Sequence, residues 1–534
     1  MTPGRRAPSP AIVALTAALA AAVFTALAVP RLDQQGLYYD ELHQATASFA
    51  YLGQPAPMFN ESQIMGLPAL NMNYSGAMKT GMYGVYMRLT GAPFSVISWR
   101  LLAIVIGAAG IAAFCLLAMP ALPPVATVVI VLLVVSDVNL LLSVRHDWGP
   151  VALSFALRMV LLAALVRRGV DGPGPREAAV IGLMLGLIVF EKLSGVVVAL
   201  PIALLVAWAG SGPFLARAAS FIGGGIVGSA PLIFLNLRSL IADDRIISLG
   251  NVPTKDPLTV ADFMRRGVEY VQLGAGAVVQ EWILGHERGW LAQYEGWVLS
   301  AAAMGALWLA ARSWTRDTTR GSRLVIALVA TWAVTGIILP FLPSPTGAHH
   351  WVLGTPFHYV ALGLVAAGWV RNRLANPVPM RVFSALLIAL LAGRAIGLMG
   401  LERSLAQGDA SARFSPSLNH LGEFAARQST DTLFVASTWG LGAEIVCMSN
   451  NAPDRVVEAF WSWKAQSLGN LLDGHPDKKV FYIAALETIP GIPTARDNIE
   501  RDFASRTELV EEPLPAGMPA LDGIRLRRFV RRDY

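Results

Sequence analysis

The sequence predicts a polytopic α-helical membrane protein with a small α/β domain at its C-terminus. Three observations support this class: an apolar composition, about eleven apolar runs long enough to cross a bilayer, and alternating strand-like and helix-like segments after residue 400. Hydrophobic residues make up 54% and charged residues 15% of the 534 residues, and the mean hydropathy is +0.52. Soluble proteins carry roughly 25% charged residues. Most of this chain is therefore expected to lie in lipid.

The apolar runs divide the first 400 residues into spans of about 20 residues each, the length that crosses the hydrocarbon core. In chain order they cover residues 11–30, 97–120, 124–143, 150–167, 178–191, 193–210, 217–237, 294–312, 323–343, 354–370 and 381–400. With a cytoplasmic N-terminus, most arginines between the runs fall in the cytoplasm, while the short outward loops hold only Arg145 and Lys192. This distribution obeys the positive-inside rule. We predict a multi-pass protein of the inner or plasma membrane.

The first run has a second interpretation. Ala26-Leu27-Ala28 fits the small-residue pattern of a signal-peptidase site. The apolar stretch is longer than most signal-peptide cores, so we favour an uncleaved helix.

Three longer segments lie between or beyond the predicted spans, and all fall on the extracytoplasmic side. They are the loops 31–96 and 238–293 and the C-terminal segment 401–534. We therefore predict two units, a membrane module over 1–400 and an extracytoplasmic α/β domain over 401–534. Apolar runs at 432–436 and 479–483 predict strands in the second unit. Neither is followed by a Gly-rich phosphate loop, so a nucleotide site has little support.

Charge and cysteine content exclude two classes of function. The net charge is +6, but a basic balance in an apolar chain usually reflects Lys and Arg retained at the cytoplasmic side, so no nucleic-acid partner is expected. Cys115 lies within an apolar run and Cys447 near the C-terminus. They form neither a metal-spaced set nor an obvious disulfide, and redox chemistry is not expected.

Ionisable residues gather on the predicted outward face, where charge beside a membrane is expensive and often functional. They include Asp40, Glu41, His43, the run Arg145-His146-Asp147, Glu191, Lys192, His349 and His350. Each of these residue types also has a purely structural explanation. An aspartate before a helix caps it, a lysine at a helix end snorkels, and histidines beside a tryptophan occur in aromatic belts. Asp137, inside the third run, either marks an ion path or hydrogen-bonds within the bundle.

A divalent metal ion remains open at this stage. Asp40 and His43 lie three residues apart, which places both on one face of a helix, and Asp147 offers a further oxygen ligand. The dense His/Cys spacing of a structural zinc site does not occur in the sequence.

Four stretches, taken in order, resemble the GT-C glycosyltransferases, especially the branch of protein O-mannosyltransferases and the lipid A aminoarabinose transferase. The acidic pair after the first span is matched by Tyr39-Asp40-Glu41. The first outer loop and the start of the second span are matched by NYSGAMKTGMYGVYMRLTG and SWRLLAIVIG. A Gly-rich span ending in Lys is matched by GLMLGLIVFEKLSGVVVALPIALLVAW, and the start of a late span by HHWVLGTPFHYVALGL. The late motif commonly has Arg or Lys with Tyr, whereas this chain has His349-His350-Trp351.

The resemblance implies a membrane glycosyltransferase that moves a sugar from a polyprenyl-phosphate donor to an extracytoplasmic protein, lipid or glycan acceptor. It implies an inverting displacement with Asp40 as general base, and Glu41 orienting the acceptor or Asp40. Cations would neutralise the leaving phosphate; the candidates are Lys192, Arg145, Lys79, His349 and His350. Supporting roles fall to Asp147, which would hold Arg145, and to His146 and His43.

Two other classes of function remain as alternatives. A transporter or lipid-linked sugar flippase would use the outward charges and Asp137 as a path, but paired halves with broken helices are not apparent in the sequence. A non-catalytic scaffold would present residues 401–534 to partners. The sugar and the acceptor are not determined by the pattern.

Overall fold

A computed structural model gives the fold of this protein. It describes residues 8–54, 62–168, 172–249, 258–273, 278–286, 290–314, 320–342, 348–368, 377–452, 454–460, 463–464, 466–487 and 493–532. All statements below refer to these ranges.

Helices dominate the chain up to residue 407, with three short strands between the second and third helices. In chain order the elements are α1 (Pro10–Ala28), α2 (Tyr39–Leu42), β1 (Ser62–Ile64), β2 (Leu67–Met72), β3 (Ser75–Gly76), α3 (Met78–Thr90), α4 (Val96–Ala118), α5 (Pro124–Val135), α6 (Val138–His146), α7 (Val151–Val166), α8 (Pro175–Glu191), α9 (Ala199–Ala209), α10 (Phe214–Gly228), α11 (Ala230–Asp243), α12 (Val260–Leu273), α13 (Val278–Leu284), α14 (Trp290–Trp314), α15 (Arg320–Ile338), α16 (Ala348–Trp351), α17 (Phe357–Ala366) and α18 (Val378–Gln407).

Several of these helices are long and apolar enough to cross a membrane. Among the described residues four meet the requirement of length and composition alone, and six do if each of two bent helix pairs counts as one span. Shorter apolar helices lie over Val151–Val166, Leu193–Ala209 and Phe357–Ala366. The chain is thus a multi-pass membrane protein, and the number of eleven spans remains a prediction.

Two runs that the sequence predicts as single spans each contain two helices. Within 124–143, α5 and α6 meet at an angle of 61° because Asp137 caps the second helix, its Oδ1 accepting from the Leu140 amide at 3.1 Å. Within 217–237, α10 and α11 meet at 69°. Pro231 occupies the first turn of α11, where its missing N–H favours a helix start and disfavours a continuous helix.

The Gly-rich span packs directly against α10. A methyl group at Gly182 would lie 2.0 Å from the carbonyl oxygen of Phe221, and one at Gly186 would lie 2.3 Å from that of Gly225. Small residues are common where membrane helices approach closely, because they let the backbones come together. The glycines of α8 therefore serve helix packing, and α8 in turn places its C-terminal end.

The end of α8 is held by the first outer loop. Lys192 follows α8 in an extended conformation and forms an isolated antiparallel bridge with Ser75 of β3. The Leu193 amide donates to the Tyr74 carbonyl at 3.0 Å. A methyl group at Gly76 would lie 2.8 Å from the Phe190 carbonyl oxygen, so only glycine fits this close approach. Lys192 is thereby fixed relative to the loop that carries Asp40.

The C-terminal segment begins later than predicted. Helix α18 continues to Gln407 and ends at Gly408, whose φ of 76° suits a glycine C-cap. The elements that follow are α19 (Ser417–Ala426), β4 (Thr432–Ala436), α20 (Leu441–Met448), β5 (Val456–Glu458), α21 (Ser467–Gly474), β6 (Val480–Leu486), α22 (Pro493–Ser505), β7 (Leu509–Glu512) and β8 (Ile524–Arg531).

These strands form one mixed sheet in the order β5-β4-β6-β8-β7. Strands β4, β5 and β6 are parallel, and β8 runs antiparallel to both β6 and β7. β4 matches the apolar run 432–436, and β6 overlaps the run 479–483 but extends three residues beyond it. Helix α20 leaves the sheet and packs on the first outer loop, with Ala443, Val446 and Cys447 in one apolar cluster with residues such as Leu42 and Phe49.

Candidate active site

Asp40 lies in the short helix α2, just above the end of α1, and is half-buried. Its Oδ2 accepts a hydrogen bond from the indole Nε1 of Trp148 at 2.6 Å. Among the described residues its Oδ1 accepts no hydrogen bond and is therefore open to a ligand. Burial raises the pKa of Asp40, while the Trp148 hydrogen bond and the charges of Lys192 and Arg413 act in the opposite direction. A carboxylate with one engaged and one open oxygen suits a general base.

Glu41, the neighbouring carboxylate, has a different environment. Its two oxygens accept from Nε and Nη2 of Arg100 at 2.9 and 2.8 Å, and both side chains are fully buried. Arg100 also donates to the carbonyls of Leu32, Gln35 and Gly36. This ion pair ties the start of α4 to the loop before Asp40. Both oxygens of Glu41 are thus engaged by Arg100, and adjacent side chains on a helical turn point apart. The role of Glu41 toward the acceptor stays a prediction.

Arg145 and Asp147 do not pair, contrary to the sequence-based expectation. Asp147 ends α6 with a left-handed φ of 45°, which turns its carboxylate away, and its Oδ2 lies 2.7 Å from Nζ of Lys79. Lys79 also lies 3.6 Å above the ring of Trp99. The other oxygen of Asp147 accepts from the Ala152 amide at 2.7 Å. Both charges of this buried pair are therefore neutralised.

Arg145 is buried against the loop that follows α1. Its guanidinium donates to the carbonyls of Ala28, Pro30 and Arg31 and to Oε1 of Gln35. These contacts hold the backbone between α1 and α2. A donor phosphate would have to displace them to reach Arg145.

Lys192 differs from Lys79 in having no ion pair with a carboxylate of the described residues. Its Nζ donates to the Gly149 carbonyl at 3.1 Å, and no carboxylate of the described residues lies within 4.0 Å of it. Burial lowers the pKa of Lys192 to about 8, against the opposing effect of the Asp40 and Asp147 charges. Lys192 and Asp40 thus lie close enough to affect each other's ionisation.

The predicted histidines divide between this site and the surrounding packing. The His349 ring lies 4.9 Å from the Trp148 ring and 4.0 Å from the His350 ring, centre to centre. Burial, with the nearby His350, Lys192 and His43, holds the pKa of His349 well below its ordinary value. The neutral imidazole can offer a hydrogen bond but not a charge. His146 is buried, with Nδ1 3.1 Å from the Leu142 carbonyl oxygen, and serves packing.

The described residues contain no group of three or more His, Cys, Asp or Glu side chains placed to hold a metal ion. The set considered from the sequence, Asp40, His43 and Asp147, is not such a group. Asp147 is already paired with Lys79.

Several site residues are not predicted from the sequence. Trp148 fixes Asp40, and its ring packs 5.2 Å from that of Trp282, over which the Arg413 guanidinium lies at 4.5 Å. Arg413 comes from the connection between α18 and the C-terminal sheet. Arg158, buried in the middle of α7, carried a signal in the sequence, since an arginine within an apolar span is a functional candidate by default. No sequence feature singles out Trp148 or Arg413, and only the fold places them at the site.

Comparisons with known proteins agree with this fold. No family model matches the chain, and no curated protein matches it. Among solved structures, ArnT from Cupriavidus metallidurans in the apo state has a TM-score of 0.59 at 11% identity, covering 98% of each chain. The same protein bound to undecaprenyl phosphate has a TM-score of 0.55 at 13% identity, again covering 98% of each chain.

A third solved structure is much longer than this chain. The arabinofuranosyltransferase AftD from Mycobacteria has a TM-score of 0.55 at 14% identity, covering 99% of this chain but only 40% of its own. This protein therefore spans less than half of AftD, but nearly the whole of ArnT. At these identities the three structures share architecture with this chain. The chain has the fold of the GT-C glycosyltransferases.

Proposed function

We propose that this protein is an integral-membrane glycosyltransferase. It takes a sugar from a polyprenyl-phosphate donor in the bilayer and transfers it to an acceptor on the extracytoplasmic side. Asp40 acts as the general base, and Lys192 neutralises the leaving phosphate. The binding of undecaprenyl phosphate by ArnT, a protein of the same fold, supports a lipid-linked donor.

One observation carries the proposal. An open oxygen of Asp40 and the ammonium of Lys192 converge beside Trp148 and Gly149, although they come from distant parts of the chain. Within the part of the chain that the structure describes, no carboxylate lies within 4.0 Å of Lys192. Gly149 has a φ of 70°, and a methyl group there would lie 2.5 Å from Nζ of Lys192. The turn is therefore built to admit the lysine. The Asp40 carboxylate and the Lys192 ammonium match the two needs of the reaction, a base for the acceptor and a positive charge for the leaving phosphate.

The reaction is a single displacement at the anomeric carbon. Asp40 takes the proton of the acceptor hydroxyl as its oxygen attacks the sugar C1. The bond between C1 and the phosphate oxygen breaks, and the electron pair leaves with the polyprenyl phosphate. Because attack and departure occur on opposite faces of the sugar, the configuration at C1 inverts. Lys192 stabilises the negative charge that grows on the phosphate in the transition state.

The other charged residues near the site hold the framework in this proposal. Glu41 and Arg100 fix the loop before α2, and Lys79 and Asp147 fix the turn that carries Trp148. Arg145 holds the end of α1. Of the donor-phosphate candidates named from the resemblance, Lys192 keeps that role in this proposal, and Arg145 and Lys79 support the framework.

The test is consumption of radiolabelled polyprenyl-phosphate sugars by membranes that contain the protein, with an acceptor-bearing native membrane extract. We expect wild type to consume one donor of a panel, and Asp40→Asn to lower the rate by roughly 100- to 10,000-fold, as for loss of a general base. Asp33 is an exposed carboxylate in the same loop. Asp33→Asn is therefore the matched control and should retain wild-type activity.

Two results would count against the proposal. Survival of every donor in the presence of wild type would argue for transport, which a flux assay of the same labelled lipids in sealed vesicles would detect. Equal activity in Asp40→Asn and Asp33→Asn would remove Asp40 from the reaction.

A further inference from the structure

Arg158 is a cation buried within the helix bundle. It lies in α7 with 1% of its surface exposed. Its Nε donates to the Thr355 carbonyl at 2.9 Å and its Nη1 to Oγ of Ser154 at 2.7 Å. Among the described residues no carboxylate lies within 4.0 Å of it, and Nη2 makes no hydrogen bond. A lone charge inside a membrane bundle is costly, so the site must gain from it in another state.

Arg158 and Lys192 line the same small cavity. The cavity is bounded by Gly149, Pro150, Ser154, Arg158, Lys192 and His349 among its lining residues. Its interior has room for about one water molecule. The first residue of α7, Val151, also lines it, so the positive end of that helix contributes to the same space.

Three sources of positive potential therefore meet in one cavity that contains no acidic side chain among its lining residues. Other buried arginines of the protein differ. Arg145 has both terminal nitrogens donating to carbonyl or amide oxygens. Arg217, in α10, donates to the carbonyls of Gly212 and Ala207. Neither lines this cavity, and each is explained by its backbone contacts.

We infer that this cavity binds one oxygen of the donor phosphate, with Arg158 as a second cation beside Lys192. The inference rests on the proposed function and deepens it. Because the cavity admits only one water-sized atom, the phosphorus stays at its mouth next to Lys192. This keeps the bond to the sugar C1 on the side of Asp40.

The charges also match the course of the reaction. A sugar phosphodiester carries one negative charge, and the leaving phosphomonoester gains a second as the bond breaks. Two cations therefore interact more strongly with the transition state and the product than with the donor, which is the condition for a rate increase. Arg158 acts on the reacting phosphate, and its loss should lower affinity for the phosphate product more than for any neutral lipid.

The sharpest test places a carboxylate beside Arg158 without removing it. Ser154→Asp supplies an internal counter-charge next to Nη1, and Ser154→Asn is the uncharged control of equal size. Binding of undecaprenyl phosphate is measured for the full-length protein in nanodiscs of zwitterionic lipid, with undecaprenol as the neutral probe. Because both substitutions add the same volume to the cavity, Ser154→Asn measures the effect of size alone. We expect Ser154→Asp to weaken undecaprenyl phosphate binding roughly 10- to 100-fold more than Ser154→Asn does, and the thermal midpoint of Ser154→Asp not to fall.

A second pair of variants removes the cation itself. Arg158→Gln should weaken undecaprenyl phosphate binding by a similar factor, and Arg217→Gln, a buried arginine elsewhere, should not. Inorganic phosphate is added as a competitor in both series, to separate a lipid headgroup site from a site for the free ion. Weak competition supports the donor; phosphate that binds as tightly as the lipid overturns the assignment.

Three further results separate failure of the proposed donor class from failure of the role of Arg158. If wild type does not distinguish undecaprenyl phosphate from undecaprenol, the proposed donor class itself fails. If wild type prefers the phosphate but Ser154→Asp and Arg158→Gln both bind like wild type, only this inference fails. Equal loss in Ser154→Asp and Ser154→Asn would show that packing, not charge, governs the cavity, and would overturn the inference as well.

Discussion

Two adjacent carboxylates have opposite surroundings in this protein. Asp40 has a free oxygen and one indole partner, whereas both oxygens of Glu41 are engaged by a fully buried arginine. Removing one partner of a buried ion pair leaves the other charge unpaired, which is far more costly than loss of a surface contact. The two substitutions should therefore separate stability from activity.

Glu41→Gln should destabilise the protein by about 3 to 5 kcal/mol, because Arg100 would remain buried without its counter-charge. Asp40→Asn should leave stability nearly unchanged and abolish transfer. Thermal unfolding in detergent, followed by intrinsic fluorescence, measures the first effect. A Glu41→Gln variant with a wild-type midpoint and lost activity would instead give Glu41 a direct role in the reaction.

The proposed role of Lys192 predicts a pH-dependent reaction. The protonated amine is the active form, and burial lowers the pKa of Lys192 to about 8, so kcat/KM should fall as the pH rises through that value. Because the pKa of Asp40 is raised, the acid limb of the kcat/KM profile should lie at a higher pH than an exposed aspartate would give. In Lys192→Arg, the guanidinium stays charged, and the alkaline limb should move up or vanish. An unchanged alkaline limb in that variant would assign it to another group.

At the scale of elements, the bend between α5 and α6 sets the position of the site. Asp137 caps α6 and also accepts from the Tyr359 hydroxyl at 2.7 Å, which ties the bend to α17. Helix α6 ends with Arg145 and His146 and leads directly to Trp148. Of the two interpretations made from the sequence, Asp137 thus takes the hydrogen-bonded one.

Helix α20 couples the C-terminal segment to the catalytic loop, and it carries a buried acid. Glu444 has 1% of its surface exposed, and neither carboxylate oxygen has a hydrogen-bond partner within the described part of the chain. Burial, together with the negative charges of Glu41 and Glu423, raises the pKa of Glu444 well above 4.5, and Arg100 only partly opposes this. The folded state therefore holds this proton more tightly than the unfolded chain.

A raised folded-state pKa contributes stability at low pH that is lost as the pH rises towards that value. Glu444→Gln removes this dependence. It should match wild type near about pH 4, below the ordinary glutamate pKa, and have a higher thermal midpoint near about pH 8. Unfolding curves of both proteins across this range test it, with Glu487→Gln, at an exposed glutamate of the C-terminal segment, as control. A Glu444→Gln midpoint below wild type at both pH values would mean that the carboxylate is paired.

At the scale of the whole molecule, the predicted orientation places residues 31–96 and 401–534 outside the cell membrane and the basic loops inside. Cys115 and Cys447 are buried, so engineered cysteines can be labelled over a low background. Ala516→Cys and Met65→Cys, both at exposed positions, should react with an impermeant maleimide in intact spheroplasts. Arg168→Cys should react only after permeabilisation, and the reverse pattern would invert the topology.

Composition and pattern were enough to predict the membrane class, the face on which polar groups gather, and Asp40 and Lys192 as candidates. The free-energy cost of placing a charge in lipid and the spacing of apolar runs both depend on local sequence. They can therefore be predicted without knowledge of the fold. The GT-C resemblance, carried by four short stretches, predicted the fold that the solved structures share.

Which charges are free was decided only by tertiary contacts. Asp40 meets Trp148, 108 residues away, and Glu41 meets Arg100, 59 residues away. Lys79 pairs with Asp147, and Arg158 lies against Thr355. In the sequence these cations and carboxylates look equivalent. Their roles differ because an ion pair forms or is missed according to where distant helices bring side chains together, and no local pattern encodes that distance.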